Sequence, residues 1–200
     1  MNRTWAILLS TVFHPVFINL LSFILVIELT PYLQAGFTPE AKWFYVLYVF
    51  ITTGMIPLFV VVLRKALGFS KSIMLDQADD RHIPYITTAV AYLLGYYFFI
   101  QLGAPHILQG YMLASACIMV AILIINFYTK ISAHATSLGA LVGLLMALSS
   151  YALVDVRIYL VVALIFTGLT CVARLALQAH THQQIYWGAL VGFGMMWLVM

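Results

Sequence analysis

Stretches of apolar residues long enough to cross a lipid bilayer succeed one another along the whole chain, parted only by short polar clusters. A membrane-spanning helix needs about 20 mostly apolar residues, and inside hydrocarbon its backbone amides must find partners within the protein. The runs extend from Trp5 to Leu29, Trp43 to Leu63, Tyr85 to Leu102 and Leu108 to Tyr128. A fifth passes through ISAHATSLG to Leu153, a sixth ends near Leu177, and a short last one covers Tyr186 to Met200. His14-Pro15 and Pro57 interrupt the first two, where a proline kinks a membrane helix without ending the span. The expectation is an all-α integral membrane protein: one bundle of six or seven transmembrane helices, a single domain over residues 1–200.

Composition supports this. Charged residues make up 8% of the chain and hydrophobic ones 64%, whereas a soluble domain carries about 25% charged residues to face water. Mean hydropathy is +1.06. A net charge of +3, scattered along the chain, gives no footprint for nucleic acid. Cys117 and Cys171 sit within apolar runs and read as buried thiols, with neither a disulfide nor a zinc site implied. The run after Arg3 is too long for a signal-peptide core and has no small-residue cleavage site, so it is expected to stay as a helix. The stretch from Thr30 to Lys42, with two prolines and a glycine, reads as a short turn.

Counting crossings orders the polar residues. Two runs precede the segment Asp76–Arg81, two more precede Lys130–His134, and another two precede Arg174–His182. An even number of crossings returns the chain to the same face, so three clusters remote in sequence are expected to meet at one end of the bundle. Glycines 139, 143, 188, 192 and 194 are expected to let helices approach closely. His14 is expected to be a hydrogen-bonded structural residue, and His182 an interfacial bystander.

Two of these clusters carry a pattern. Arg174, five residues, His180, three residues, Gln184 and then Gly188 form one; Ile131-Ser132-Ala133-His134 forms the other. Together they resemble motifs of the type 2 phosphatidic acid phosphatase and vanadium haloperoxidase superfamily, most strongly over residues 128–200. In that family the first pattern reads Ser-Arg, five residues, His, three residues, Asp, and the second reads Pro-Ser-Gly-His. Here Ala173 and Gln184 stand where the family has serine and aspartate, and the second motif lacks its proline and glycine. The family's lysine-and-arginine motif compares less closely with Lys71, Arg81 and Pro84.

The resemblance implies a membrane bundle similar to the superfamily core, and a phosphatase that forms a phosphohistidine. His180 would be the nucleophile and His134 the general acid, with Gln184 in the place of the group that orients the nucleophile. Arg174, Arg81, Lys71, Lys130 and Ser132 would hold the phosphate. Phosphate esters resist attack because an anion repels its nucleophile, and fixed positive charge beside an activated nucleophile removes that obstacle. No metal and no cofactor is implied. The expected substrate is an amphiphilic lipid phosphate or polyprenyl diphosphate, taken up among membrane lipids. A neutral amide at position 184 also admits a degenerate relative that binds such a lipid without cleaving it. Asp76, Asp79 and Asp80 suggest a further alternative, a metal-dependent prenyl-diphosphate enzyme.

Charge alone would turn the cluster face to the cytoplasm, since it carries Arg3, Arg64, Lys65, Lys71, Arg81, Lys130 and Arg174, against Lys42 and Arg157 on the other face. Several of those are site candidates, however. The resemblance implies a site on the periplasmic side of a bacterial inner membrane.

Overall fold

The structure, a computed structural model, describes residues 1–69 and 81–200, and every regular element among them is helical. Lys71, Asp76, Asp79 and Asp80 lie outside the described residues. The chain runs through α1 (Arg3–Val12), α2 (Pro15–Leu29), the short α3 (Pro31–Gly36) and α4 (Pro39–Val49). A π-helical segment (Phe50–Met55) leads straight into α5 (Ile56–Ala66). Then follow α6 (His82–Gln101), α7 (His106–Asn126), α8 (Ala133–Tyr151), α9 (Arg157–Ala176) and α10 (His182–Val199).

Among the described residues five stretches are long and apolar enough to cross a membrane: Pro39–Ala66, α6, α7, α8 and α9. A sixth is counted if α1 and α2, bent by 44° at their junction, form one broken span. These helices fit an integral membrane protein. The sequence led to an expectation of six or seven crossings, and the shortfall comes from α10. His182, Gln183 and Gln184 occupy its first turn and dilute the apolar character of an 18-residue helix.

Local chemistry explains the boundaries. Pro15 and Pro39 each open a helix, where the missing N–H costs nothing. The region expected to be a turn between Thr30 and Lys42 holds α3 and the first turn of α4, which Thr38 caps from its hydroxyl. Pro57 cannot donate to the Thr53 carbonyl, and the chain answers with the wider π-helical turn just before it. Inside the bundle, the Asn19 amide donates to Thr53 Oγ1 at 2.9 Å, and the Tyr111 hydroxyl lies 2.7 Å from oxygens of Asn19. Such bonds tie α2, α7 and the π-helical segment together where no water competes. Cys117 and Cys171 are free thiols, half-buried where full burial was expected.

The closest helix pair is α8 with α10. A Cβ on Gly139 would strike the Ala189 carbonyl, one on Gly143 the Phe193 carbonyl, and one on Gly192 the Thr136 carbonyl. A Cβ on Gly188 would lie 2.8 Å from the Ser132 carbonyl. Contact positions rise together along both chains, so α8 and α10 run parallel with their N-termini at one end. Each helix contributes two glycines four residues apart, the spacing that lets two membrane helices touch backbone to backbone. Gly194 plays no part in this, because nothing lies near its would-be Cβ. Helix α8 is the centre of the bundle, with 61% of its apolar window buried against 17% for α9.

Candidate functional site

The shared N-terminal end of α8 and α10 is where the polar residues gather. Helix α9 stops in a tight turn: Gln178 takes a left-handed φ of 52° while Ala179 N donates to the Arg174 carbonyl at 3.1 Å and Gln178 N to that of Leu175 at 2.9 Å. This double closure satisfies the last carbonyls of the helix. Thr181 then caps α10 in a reciprocal box, its hydroxyl accepting from Gln184 N while the Gln184 side chain accepts from Thr181 N at 3.2 Å. His180 is held between these two devices.

His180 is 8% exposed. Its Nδ1 lies 3.2 Å from the Lys130 carbonyl oxygen and 3.3 Å from Gln184 Oε1. Both partners are acceptors, so Nδ1 carries the proton and Nε2 keeps its lone pair. Gln184 is itself fixed, with Nε2 donating to Thr129 Oγ1 at 3.3 Å and its carbonyl accepting from Ser132 N at 3.3 Å. Burial, then the positive charges of Arg81 and Arg174, push the His180 pKa down to about 4, against a smaller opposing effect of its two hydrogen bonds. At neutral pH it is an uncharged imidazole.

Arg81 precedes α6 and is 7% exposed; its Nη1 donates to the Ile131 carbonyl at 3.2 Å. The loop after α7 is thereby joined to both flanking clusters. Arg174, in the last turn of α9, lies within electrostatic reach of His14, His134 and His180. In the first turn of α8, His134 donates from Nε2 to the Ser10 carbonyl at 3.0 Å. The His14 ring meets the His134 ring edge to face, with centroids 5.6 Å apart and planes at 86°. An open hollow of about 490 Å³ lies against this end, lined by His180, Thr181, His182 and Gln184 with Leu175 of α9 and the turn residues Gln178 and Ala179.

The structure thus brings together His180, His134, Gln184, Arg174 and Arg81. Lys130 meets His180 through its backbone carbonyl. Ser132 is wholly buried and its hydroxyl caps α8, accepting from Ala135 N at 3.4 Å. Among the described residues no group of three or more histidine, cysteine or acidic side chains is placed to hold a metal ion. Ser10, Thr129 and Thr181 were not expected here, and His14, expected to be structural with a site role left open, lies at the site end. The His-Pro pair inside an apolar run and the Thr-x-x-Gln spacing were the available signals.

Comparison with protein-family models, curated proteins and solved structures finds no match. What fold and site define is a class: an all-helical chain with five or six helices apolar enough to cross a membrane among its described residues, and a partly buried histidine–arginine cluster at one end of the bundle.

Proposed function

We propose that this chain hydrolyses the phosphate or diphosphate head of an amphiphilic lipid through a phosphohistidine on His180. The supporting observation is the state of that ring: Nδ1–H is anchored on two oxygens, Nε2 is left with its lone pair, and two arginines lie within electrostatic reach. The motif resemblance points the same way.

In this reading Arg81 and Arg174 gather the phosphoryl oxygens, where planar guanidinium groups bind bidentately. His180 Nε2 attacks phosphorus, an N–P bond forms, and the ester P–O bond breaks. His134 gives a proton to the departing oxygen. Water then attacks the phosphohistidine, restoring the imidazole and releasing inorganic phosphate. With Nε2–H of His134 held on Ser10, the proton it transfers is the one on Nδ1, and the anionic phosphoryl group favours the doubly protonated ring that carries it. The step is complete without a metal ion. In this reading the site faces the periplasm across a bacterial inner membrane, as the motif resemblance implies.

Gln184 sets the rate. In a serine-protease triad the change from aspartate to the neutral amide costs roughly 10⁴, largely through the wrong tautomer. Here the Lys130 carbonyl fixes the tautomer independently, so the cost is confined to the missing negative charge. That missing charge favours a second reading, a protein that binds lipid phosphate without cleaving it.

Phosphate release from lipid phosphates and polyprenyl diphosphates by purified protein in detergent separates the two, with and without EDTA. Release that persists in EDTA, vanishes in His180→Ala and rises in Gln184→Asp supports hydrolysis. Release only after Gln184→Asp supports the binder. Silence from every variant rejects the assignment.

A further inference from the structure

The break between α1 and α2 lies against His134, and its hydrogen bonding is not that of an ordinary kink. In an unbroken helix the Ser10 carbonyl would accept the N–H of His14, four residues on. Pro15 breaks the helix here, its ring clashing with the carbonyl of Thr11 four residues back, and Phe13 leaves the helical region at ψ 37°, which turns the His14 N–H away from Ser10. The His14 N–H instead reaches back to the Thr11 carbonyl at 3.3 Å. Ser10 is 8% exposed, and a buried carbonyl must find a donor. It takes Nε2–H of His134 at 3.0 Å. His14 caps α2 with Nδ1, which accepts from Val16 N at 3.4 Å, and packs its ring edge to face on His134.

We infer that the α1–α2 break is part of the site: it supplies the acceptor that sets the protonation pattern of His134, with Pro15 and His14 as positioning residues. The inference rests on the phosphatase reading for its catalytic consequence, since His134 there protonates the departing oxygen. Rotating His134 away would strand the Ser10 carbonyl, so the bond holds the ring. Removing Pro15 lets His14 N–H reclaim Ser10, and the ring loses its anchor.

General acid catalysis shows in the leaving group. Pro15→Ala is expected to slow release from an alkyl lipid phosphate about 100-fold, while p-nitrophenyl phosphate, whose departing oxygen needs no proton, changes by less than about threefold. The p-nitrophenyl rate also reports that the variant is folded. His14→Asn keeps a side-chain oxygen for the cap and is expected to stay within about threefold of wild type on both substrates, whereas His14→Ala follows Pro15→Ala. Independently of turnover, ¹⁵N spectra of histidine-labelled protein are expected to show His134 with Nε2 protonated, and Pro15→Ala to erase that pattern. Equal losses on both substrates, or an unchanged His134 spectrum in Pro15→Ala, would overturn the inference. If the wild type hydrolyses neither substrate, the phosphatase reading fails, and the spectra alone decide whether the break positions His134.

Discussion

The two ends of the bundle handle positive charge in opposite ways. At one end Lys42 sits 2.9 Å from Glu28 and Arg157 sits 2.6 Å from Asp155, the latter pair largely in the open. At the other end Arg81 is buried and Arg174 lies among His14, His134 and His180. The carboxylates among the described residues, Glu28, Glu40 and Asp155, are all at the first end. An exposed ion pair trades one hydrated partner for another and gains little. A guanidinium partly withdrawn from water interacts more strongly with any charge beside it than one standing in solvent, because the local dielectric is lower. Position among neighbours, and not residue type, separates Arg157 from Arg81 and Arg174.

The largest expected effect tests that contrast directly. Arg174→Gln should lower phosphate release about 10³-fold, the scale of losing a preorganised charge at a reacting oxyanion. Arg157→Gln, assayed beside it, should leave release unchanged. Equal losses in the two variants would erase the distinction between the ends.

A second effect concerns how the site end is held together. Gly192→Ala would push a methyl into the Thr136 carbonyl and part α8 from α10 near the caps that place His134 and His180. Overpacking of this kind costs about 1–3 kcal/mol, to be read from thermal unfolding in detergent. Gly194→Ala should cost far less, because no atom stands in the way. A Gly192→Ala protein as stable as the wild type would mean that the glycine contact does not hold this end closed.

Much of this was legible beforehand. The apolar runs and the even count of crossings brought Arg81, Lys130–His134 and Arg174–His182 to one end, because chain direction in a membrane is decided by length and hydrophobicity. The spacing Arg174–His180–Gln184 brings the three residues to one end of the bundle, since a tight turn and a capping box are local. What stayed hidden depends on contacts remote in sequence or on backbone detail. Ser132 carries a hydroxyl suited to phosphate, yet its place before α8 commits it to the cap. The bond between His134 and Ser10 joins helices far apart in the chain. The π-helical turn before Pro57 has no hydrophobic period to announce it.

Acidity sharpens the comparison with a smaller effect. The unfolded imidazole of His180 takes its proton near pH 6.5, while the folded one resists until about pH 4. Between those values the unfolded state binds more protons, so stability falls as pH falls through that window. His180→Gln should remove that part of the acid sensitivity. Release should likewise decline as pH drops toward 4, where Nε2 loses its lone pair to a proton. A release profile flat down to pH 4 would show that this ring is not the attacking group.

The smallest effect belongs to the opposite end. Asp155 has its pKa drawn down to about 2, first by the side-chain bond from Arg157 and then by the backbone N–H of the same residue. A depressed carboxylate adds stability above its unfolded pKa and surrenders it as pH falls through the folded value. Both side chains stand in solvent, however, so the charge is screened on each side. Asp155→Asn keeps an oxygen for the Arg157 N–H but removes the charge and the Oδ2 acceptor of Arg157 Nη2. Thermal unfolding at pH 7 should therefore match the wild type within error, at low and high salt alike. A clear, salt-sensitive loss would mean that charge at this end, too, is held in a medium drier than water, and the contrast between the ends would narrow to one of partners alone.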